Sequence, residues 1–445
     1  MKLRLAFLSV IAATSLVLSG CIPGQQGPDG QSEGTPEEAL VQSAEAGTAT
    51  LPVPLTAEGA PKSLKIGVVV SFTSETGEGI DWAPLAEGAR VAAKRFADGG
   101  INVELVTVDD RGTTEGAVAA IDQLAGQKVS GIVVSSRGAH LNDALKKAGE
   151  KKIPVLMPYE PDPARVEAAP TSVWLTGPTN DQTSAVFAAD LGQSGAGKVL
   201  LIDAGGGAPA GVEPVATVAI PPGADPRTFG QPIAAAANDN GATSVLISGS
   251  APNLAIGLMA FQTSGVRLPL YLTPEALSPR FVTAIGEVGA TTSSPMTTVG
   301  LPLSDPTALE TGIDGQAMSA FLAALRESAL DPQTSDISGD NEFSQVAHIT
   351  AHPGSHDAVV AIVRASAKAQ SADPDKVLGA LRALKLGPED GIVTSRLFFS
   401  TAIAAPNESV VSLTATTQDV GLRPSPEAPT PTLLWFRSDP SAQSQ

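Results

Sequence analysis

The sequence predicts an α/β protein of two lobes, each built on a largely parallel sheet and joined to the other by a multi-strand hinge. Three observations lead there. From Ser63 onward, short β-branched runs alternate with Ala-rich helical stretches. The alternation restarts after Asp181–Leu191, which implies a second sheet. The last third adds helices and strands without making a third full unit, so the chain is expected to cross between the lobes several times and complete both.

The first unit opens with the buried run Leu64–Ser71 as a strand, then Ala83–Asp98 as a helix with Leu85, Ala89, Ala92 and Phe96 on one face. Asn102–Val108, Gly131–Ser135 and Ile153–Met157 read as strands, and Thr113–Gly126 and His140–Glu150 as helices. Apolar strands at this spacing argue for a parallel sheet covered on both faces. In the second unit Lys198–Asp203, Val215–Ile220, Ser244–Gly249 and Pro269–Thr273 read as strands. Thr228–Asn240, Asn253–Ser264 and Glu275–Ile285 read as helices. Gln316–Ser328, His356–Ala369 and Pro374–Leu384 follow as helices, then Val393–Ser400 and Ser409–Ala415 as strands. The expected division is 62–180 and 296–390 for the first, Rossmann-like lobe, 181–295 and 391–420 for the second, and 421–445 as an irregular tail.

The first 20 residues read as an export signal. Lys2 and Arg4 precede an apolar run, Leu5–Leu18, too short to span a bilayer. The run ends in Leu18-Ser19-Gly20-Cys21, which resembles a bacterial lipobox and implies cleavage before Cys21 and acylation of its sulfur. Cys21 is the single cysteine, so no internal disulfide is available. Residues 21–61, rich in Gly, Gln, Pro, Glu, Ser and Thr, read as a flexible tether. The expected place is the outer face of the cell membrane, held by lipid. A net charge of −18 argues against a nucleic-acid partner.

In parallel α/β sheets, ligands bind beyond the carboxyl ends of the strands. That rule selects the loops Phe72–Asp81, Ser136–Ala139 and Pro158–Pro163 in the first lobe. In the second it selects Ala204–Gly211, Ser250–Pro252 and Thr273–Pro274 with the adjoining Glu275. The candidate ligand contacts are Trp82 by stacking, Ser135, Ser136 and Tyr159 by hydrogen bonds, and Glu275 by charge. Each has a plainer reading. The serines turn the chain, Trp82 packs within its lobe, and Thr273-Pro274-Glu275 is an ordinary helix start.

Several segments, in order, resemble the type I periplasmic solute-binding proteins typified by leucine/isoleucine/valine-binding proteins of ABC transporters. They are Glu87-Gly88-Ala89-Arg90 after the first strand, Val108-Asp109-Asp110, Trp174-Leu175-Thr176 with Asn180-Asp181-Gln182, Thr273-Pro274-Glu275 and His356-Asp357-Ala358-Val359. The resemblance implies a protein that captures a small molecule, amino-acid-like or another small polar solute, and delivers it to an ABC transporter permease. It implies that Glu275 holds a ligand amino group. It also marks departures. The family's Gly-Ala-Thr-type loop, which holds a ligand carboxylate, is here Pro158-Tyr159-Glu160-Pro161, and Glu160 facing the cleft would repel a carboxylate. A cationic, neutral or larger solute fits as well as an amino acid.

Rival readings are weaker. Gly205–Gly207 lacks the Lys-Ser/Thr of a phosphate loop. His348 and His352 sit four apart, a spacing that zinc sites use, but Pro353-Gly354 interrupts any helix before His356, and no metal or other cofactor is expected. No hydrolase or metalloprotease motif is present, so no enzyme is expected. The stronger alternative is a sensor or a structural lipoprotein on the same fold, with an altered or lost pocket.

Overall fold

The computed structural model describes residues 53–74, 79–193, 195–394, 396–424 and 433–438. The export signal, Cys21 and most of the tether lie outside the described residues, as does much of the tail. All described residues belong to one unit, Glu45–Gln445. No helix among them is long and apolar enough to cross a membrane.

Two separate sheets organise the chain. The first has five strands in the order β2-β1-β3-β4-β5: β1 Ser63–Val70, β2 Asn102–Asp109, β3 Ile132–Val134, β4 Val155–Met157 and β5 Val173–Leu175. All its pairings are parallel. Three helices, α1 Gly88–Asp98, α2 Thr114–Gly126 and α3 Asn142–Glu150, connect its strands. The chain then enters the second lobe through α4 Asn180–Gln193.

The second sheet has seven strands in the order β14-β13-β10-β9-β8-β6-β7. Its parallel part is β6 Val199–Asp203, β7 Ala216–Ala219, β8 Ser244–Ser248, β9 Leu270–Leu272 and β10 Met296–Gly300, with α5 Gly230–Asp239, α6 Ala251–Ser264 and α7 Pro279–Val288 between strands. The chain returns to the first lobe as α8 Ile313–Leu330, α9 Phe343–Val346, α10 Pro353–Ala369 and α11 Pro374–Leu381. A small hairpin, β11 Lys385–Leu386 with β12 Leu397–Phe398, also joins that lobe. β13 Val411–Thr416 and β14 Leu434–Arg437 then close the second sheet antiparallel.

Four boundaries differ from the sequence expectation. Leu55 and Ala57, expected in the tether, are buried in the first core. Residues 391–405, expected in the second lobe, stay with the first, whose core buries Ile392, Leu397, Phe399, Ala404 and Ala405. Residues 296–300 belong to the second sheet, because Met296 pairs beside Leu270 and Thr297–Gly300 beside β13. The tail contains β14, whose Trp435 is buried in the second core. The segment Val393–Ser400 forms a strand only at Leu397–Phe398, since Asp357 takes the amides of Val393 and Thr394 at 2.7–3.0 Å and bends the chain there.

The strand registers set the position of the site. Val70 lies opposite Asp109, and Val69 opposite Val134, so the carboxyl ends of β1, β2 and β3 finish together. Close approach of α1 and α10 fixes the floor. A Cβ on Gly88 would lie 1.9 Å from the His352 carbonyl oxygen, so only glycine permits this packing.

Candidate ligand-binding cleft

Loops from both sheets meet at a cavity of about 70 Å³. Trp82, Arg137 and Tyr159 come from the first lobe, Glu275 and Leu303 from the second, and Thr176 from the crossing after β5. Next to it lies a larger cavity of about 760 Å³, whose walls share Leu277, Leu303 and His352 with the smaller one. Small-molecule pockets usually measure about 300–1,000 Å³, so the larger space alone reaches that size. Its lining is mainly apolar, with Val282, Ile349, Leu433 and Trp435 among the contributors.

Three of the five sequence-selected ligand residues reach the smaller cavity: Trp82, Tyr159 and Glu275. Tyr159 brings its ring but not a free hydroxyl. That hydroxyl donates to the Leu85 carbonyl at 3.1 Å and accepts from the Ser355 amide at 3.0 Å. Burial raises its pKa. The ring stacks on Trp82 at 5.9 Å and meets His352 edge-on at 5.4 Å.

Ser135 and Ser136 are buried and do not line either cavity. The Ser135 hydroxyl has no hydrogen-bond partner among the described residues. Ser136 belongs to an internal cluster, 2.5 Å from the Ser71 hydroxyl and 3.3 Å from His140 Nε2. Ser71 donates to Asp110 at 2.5 Å, and the same His140 Nε2 lies 3.1 Å from Asp110. Burial opposes ionisation of Asp110, but hydrogen bonds from His140, Ser71 and the Gly112 amide outweigh it and hold the carboxyl below its ordinary range. Serine and aspartate meet one imidazole nitrogen, whereas a proton relay uses two. The cluster ties three strand ends together.

Glu275 does not sit at a helix start of the expected kind. Pro274–Leu277 is a 3-10 turn, the Thr273 hydroxyl is unpartnered, and Ser278 caps α7 by accepting from the Arg280 amide. Ser278 also donates across the cleft to the Asp81 carbonyl at 2.8 Å. Glu160 is buried, and both its oxygens accept backbone amides, from Gly138 and Asp162, at 2.9 Å each.

Arg137, which sequence reasoning passed over, dominates the site. Its guanidinium carbon lies 3.4 Å from the centre of the Trp82 ring. Its Nε donates to the Tyr159 carbonyl, and Nη1 stands 3.8 Å from Glu275 across the cleft. Burial lowers its pKa to about 10, while Glu275, Glu160 and Asp81 favour the charge. A stacked arginine of this kind is worth about 1–2 kcal/mol and the long ion pair about 1 kcal/mol or less, so these contacts bias closure without locking it.

Of the other polar groups at the cavity, Thr176 comes from the crossing after β5, and Thr394 and His352 from first-lobe turns, between β11 and β12 and before α10. Thr176 and Thr394 are buried, line the cavity, and have hydroxyls with no hydrogen-bond partner among the described residues. His352 is the N-cap of α10, where Ser355 is the better cap by residue type. Its Nδ1 accepts from the Gly354 amide at 3.1 Å, which leaves the proton of the neutral ring on Nε2. Burial, helped by the charge of Arg423, lowers its pKa to about 3. Among the described residues no three His, Cys, Asp or Glu side chains are grouped to hold a metal.

The family model for periplasmic binding proteins matches residues 63–411. No curated protein matches the sequence significantly. Among solved structures, a type 1 periplasmic binding protein of Bordetella pertussis is similar at 18% identity, with TM-score 0.57 and coverage of 82% of this chain and 100% of its own. The branched-chain amino acid transporter substrate-binding protein LivJ of Streptococcus pneumoniae, in complex with isoleucine, is similar at 14% identity, TM-score 0.57, covering 84% and 100%. A fatty acid ABC transporter substrate-binding protein of Thermomonospora curvata is similar at 16% identity, TM-score 0.54, covering 86% and 95%. With two α/β lobes joined by three crossings and a cavity where their strand-end loops meet, the chain belongs to the type I periplasmic binding protein family.

Proposed function

We propose that this chain captures a small solute between its lobes and delivers it to an ABC transporter, tethered to the membrane through an acylated Cys21. The observation that carries the reading is the pair of buried, unpartnered hydroxyls, Thr176 and Thr394, beside the cavity where both lobes meet. A buried hydroxyl without a partner is costly, and a guest that accepts or donates there recovers the loss. The adjoining apolar space suits a solute with an apolar body and one polar end. Relatives described as binding isoleucine and fatty acid, on similar folds, span that range.

A second reading keeps the fold and gives up transport: a sensor or interaction lipoprotein. It is favoured by the internal pairing of Arg137, Glu275 and Glu160, which leaves few charged groups for a guest.

Native mass spectrometry of the purified protein tests solute capture. A retained small molecule, lost in parallel from the Thr176→Val and Thr394→Val variants, is the expected result. Each variant should weaken binding about tenfold, the worth of one hydrogen bond. Retention unchanged in both variants, or no ligand found after screening neutral and apolar solutes, would count against it.

A further inference from the structure

We infer that Arg137 and Glu160 fill the charged places of the cleft from within, so that this protein excludes free amino acids and other ammonium-bearing solutes. The inference rests on the solute-binding reading above and specifies what that site refuses. Trp82 and Glu275 together make a surface for a cation: an aromatic face on one lobe and a carboxylate on the other. The Arg137 guanidinium already occupies it, 3.4 Å from the ring centre and 3.8 Å from the carboxylate. The anionic counterpart is filled in the same way. Gly138, whose φ of 117° is one that glycine tolerates, opens the turn leading into α3, and its amide is taken by Glu160 at 2.9 Å.

Arg137 and Glu160 lie on neighbouring loops, after β3 and β4, and are joined through the Tyr159 carbonyl that accepts from Arg137 Nε. A cation and an anion are therefore both supplied by one lobe, and the second lobe closes onto them through Glu275. A guest ammonium would have to displace a guanidinium held on three sides. The space left over is the small cavity with its hydroxyls and the apolar chamber beyond, neither of which offers a free charge of the first lobe to a zwitterion.

Removing the guanidinium should create the missing cation site. Methylguanidinium is the probe, titrated by calorimetry and by thermal shift against the wild-type protein and three variants: Arg137→Ala, Arg137→Gln, and Arg137→Ala combined with Glu275→Gln. Arg137→Ala is expected to bind methylguanidinium at least tenfold more tightly than the wild type and to gain thermal stability from it. The double variant should lose that gain. Arg137→Gln keeps the polar stem without the charge and serves if the alanine variant does not fold. Equal response of wild type and both single variants would overturn the inference, as would tight binding of methylguanidinium or leucine by the wild type. A failed cation site beside intact capture of a neutral solute rejects the inference alone. Absence of any captured solute rejects the solute-binding reading.

Discussion

Glu87 has a buried carboxyl whose Oε1 accepts the Ile337 amide at 2.7 Å while Oε2 has no partner among the described residues. Burial, the largest cause, raises its pKa to about 7. An acid with a raised folded pKa binds its proton more tightly folded than unfolded. Its contribution to stability therefore falls as pH rises from about 4.5 to about 7, and levels off above that. Glu87→Gln keeps an acceptor for Ile337 and removes the titration. The variant should be more stable than the wild type above pH 7, by up to about 3 kcal/mol, and should flatten the slope below it. Denaturant melts at pH 5 and pH 8 check this; an unchanged difference between the two pH values would contradict it. The same scale shows what the sequence made legible. Strand-end loops found Trp82, Tyr159 and Glu275, because that rule depends only on element order. The rule also enclosed Arg137, yet a charged residue between Ser136 and Gly138 reads as solvated, and only the fold reveals the Trp82 face beneath it. Thr176 and Thr394 carried no signal, since their meeting depends on two segments far apart in the chain, after β5 and between β11 and β12.

Two contacts between elements hold the first lobe together beside the cavity. Gly88 lets α1 reach the start of α10, and Gly88→Ala would drive a Cβ into the His352 carbonyl. The expected cost is about 3 kcal/mol or more, read as a lowered unfolding midpoint, since backbone stands in the way. Asp357 binds the Val393 and Thr394 amides and His356 Nδ1, the last at 2.8 Å. Asp357→Ala leaves those amides buried and unpaired and should cost roughly 3–5 kcal/mol. Proteolysis at 391–396 should speed up as well. Stability within about 1 kcal/mol of wild type would show that the turn between β11 and β12 is held by something else. The long apolar runs β1, β6 and β8 were readable because burial on both faces removes polar residues. β5 and β11, three and two residues long, are absent from the sequence reading, and β12 is only part of the longer run Val393–Ser400. The helices read at Ala83 and Thr228 each begin as a 3-10 turn, because Pro84 and Pro226 open a tight first turn before the α-helix proper, whereas the one read at Glu275 is split by the extended Ser278, which caps α7.

At the scale of the molecule, two lobes meet through weak contacts around a small cavity. Arg137 with Glu275, and Ser278 with Asp81, favour closure by an amount that thermal motion can reverse. A solute bound by both lobes adds contacts available only when they are together, so it shifts the population toward closure. The cavity of about 70 Å³ admits little beyond water, so entry requires the lobes to part or the guest to use the larger space beside it. The most direct test is the distribution of distances between spin labels placed one per lobe, at Lys146→Cys and Gln231→Cys, with Cys21 replaced. Two separations are expected without solute. The shorter should match the arrangement described, and its fraction should rise when a captured neutral or apolar solute is added to saturation. A single separation, unmoved by a solute that calorimetry shows to be bound, would contradict the account.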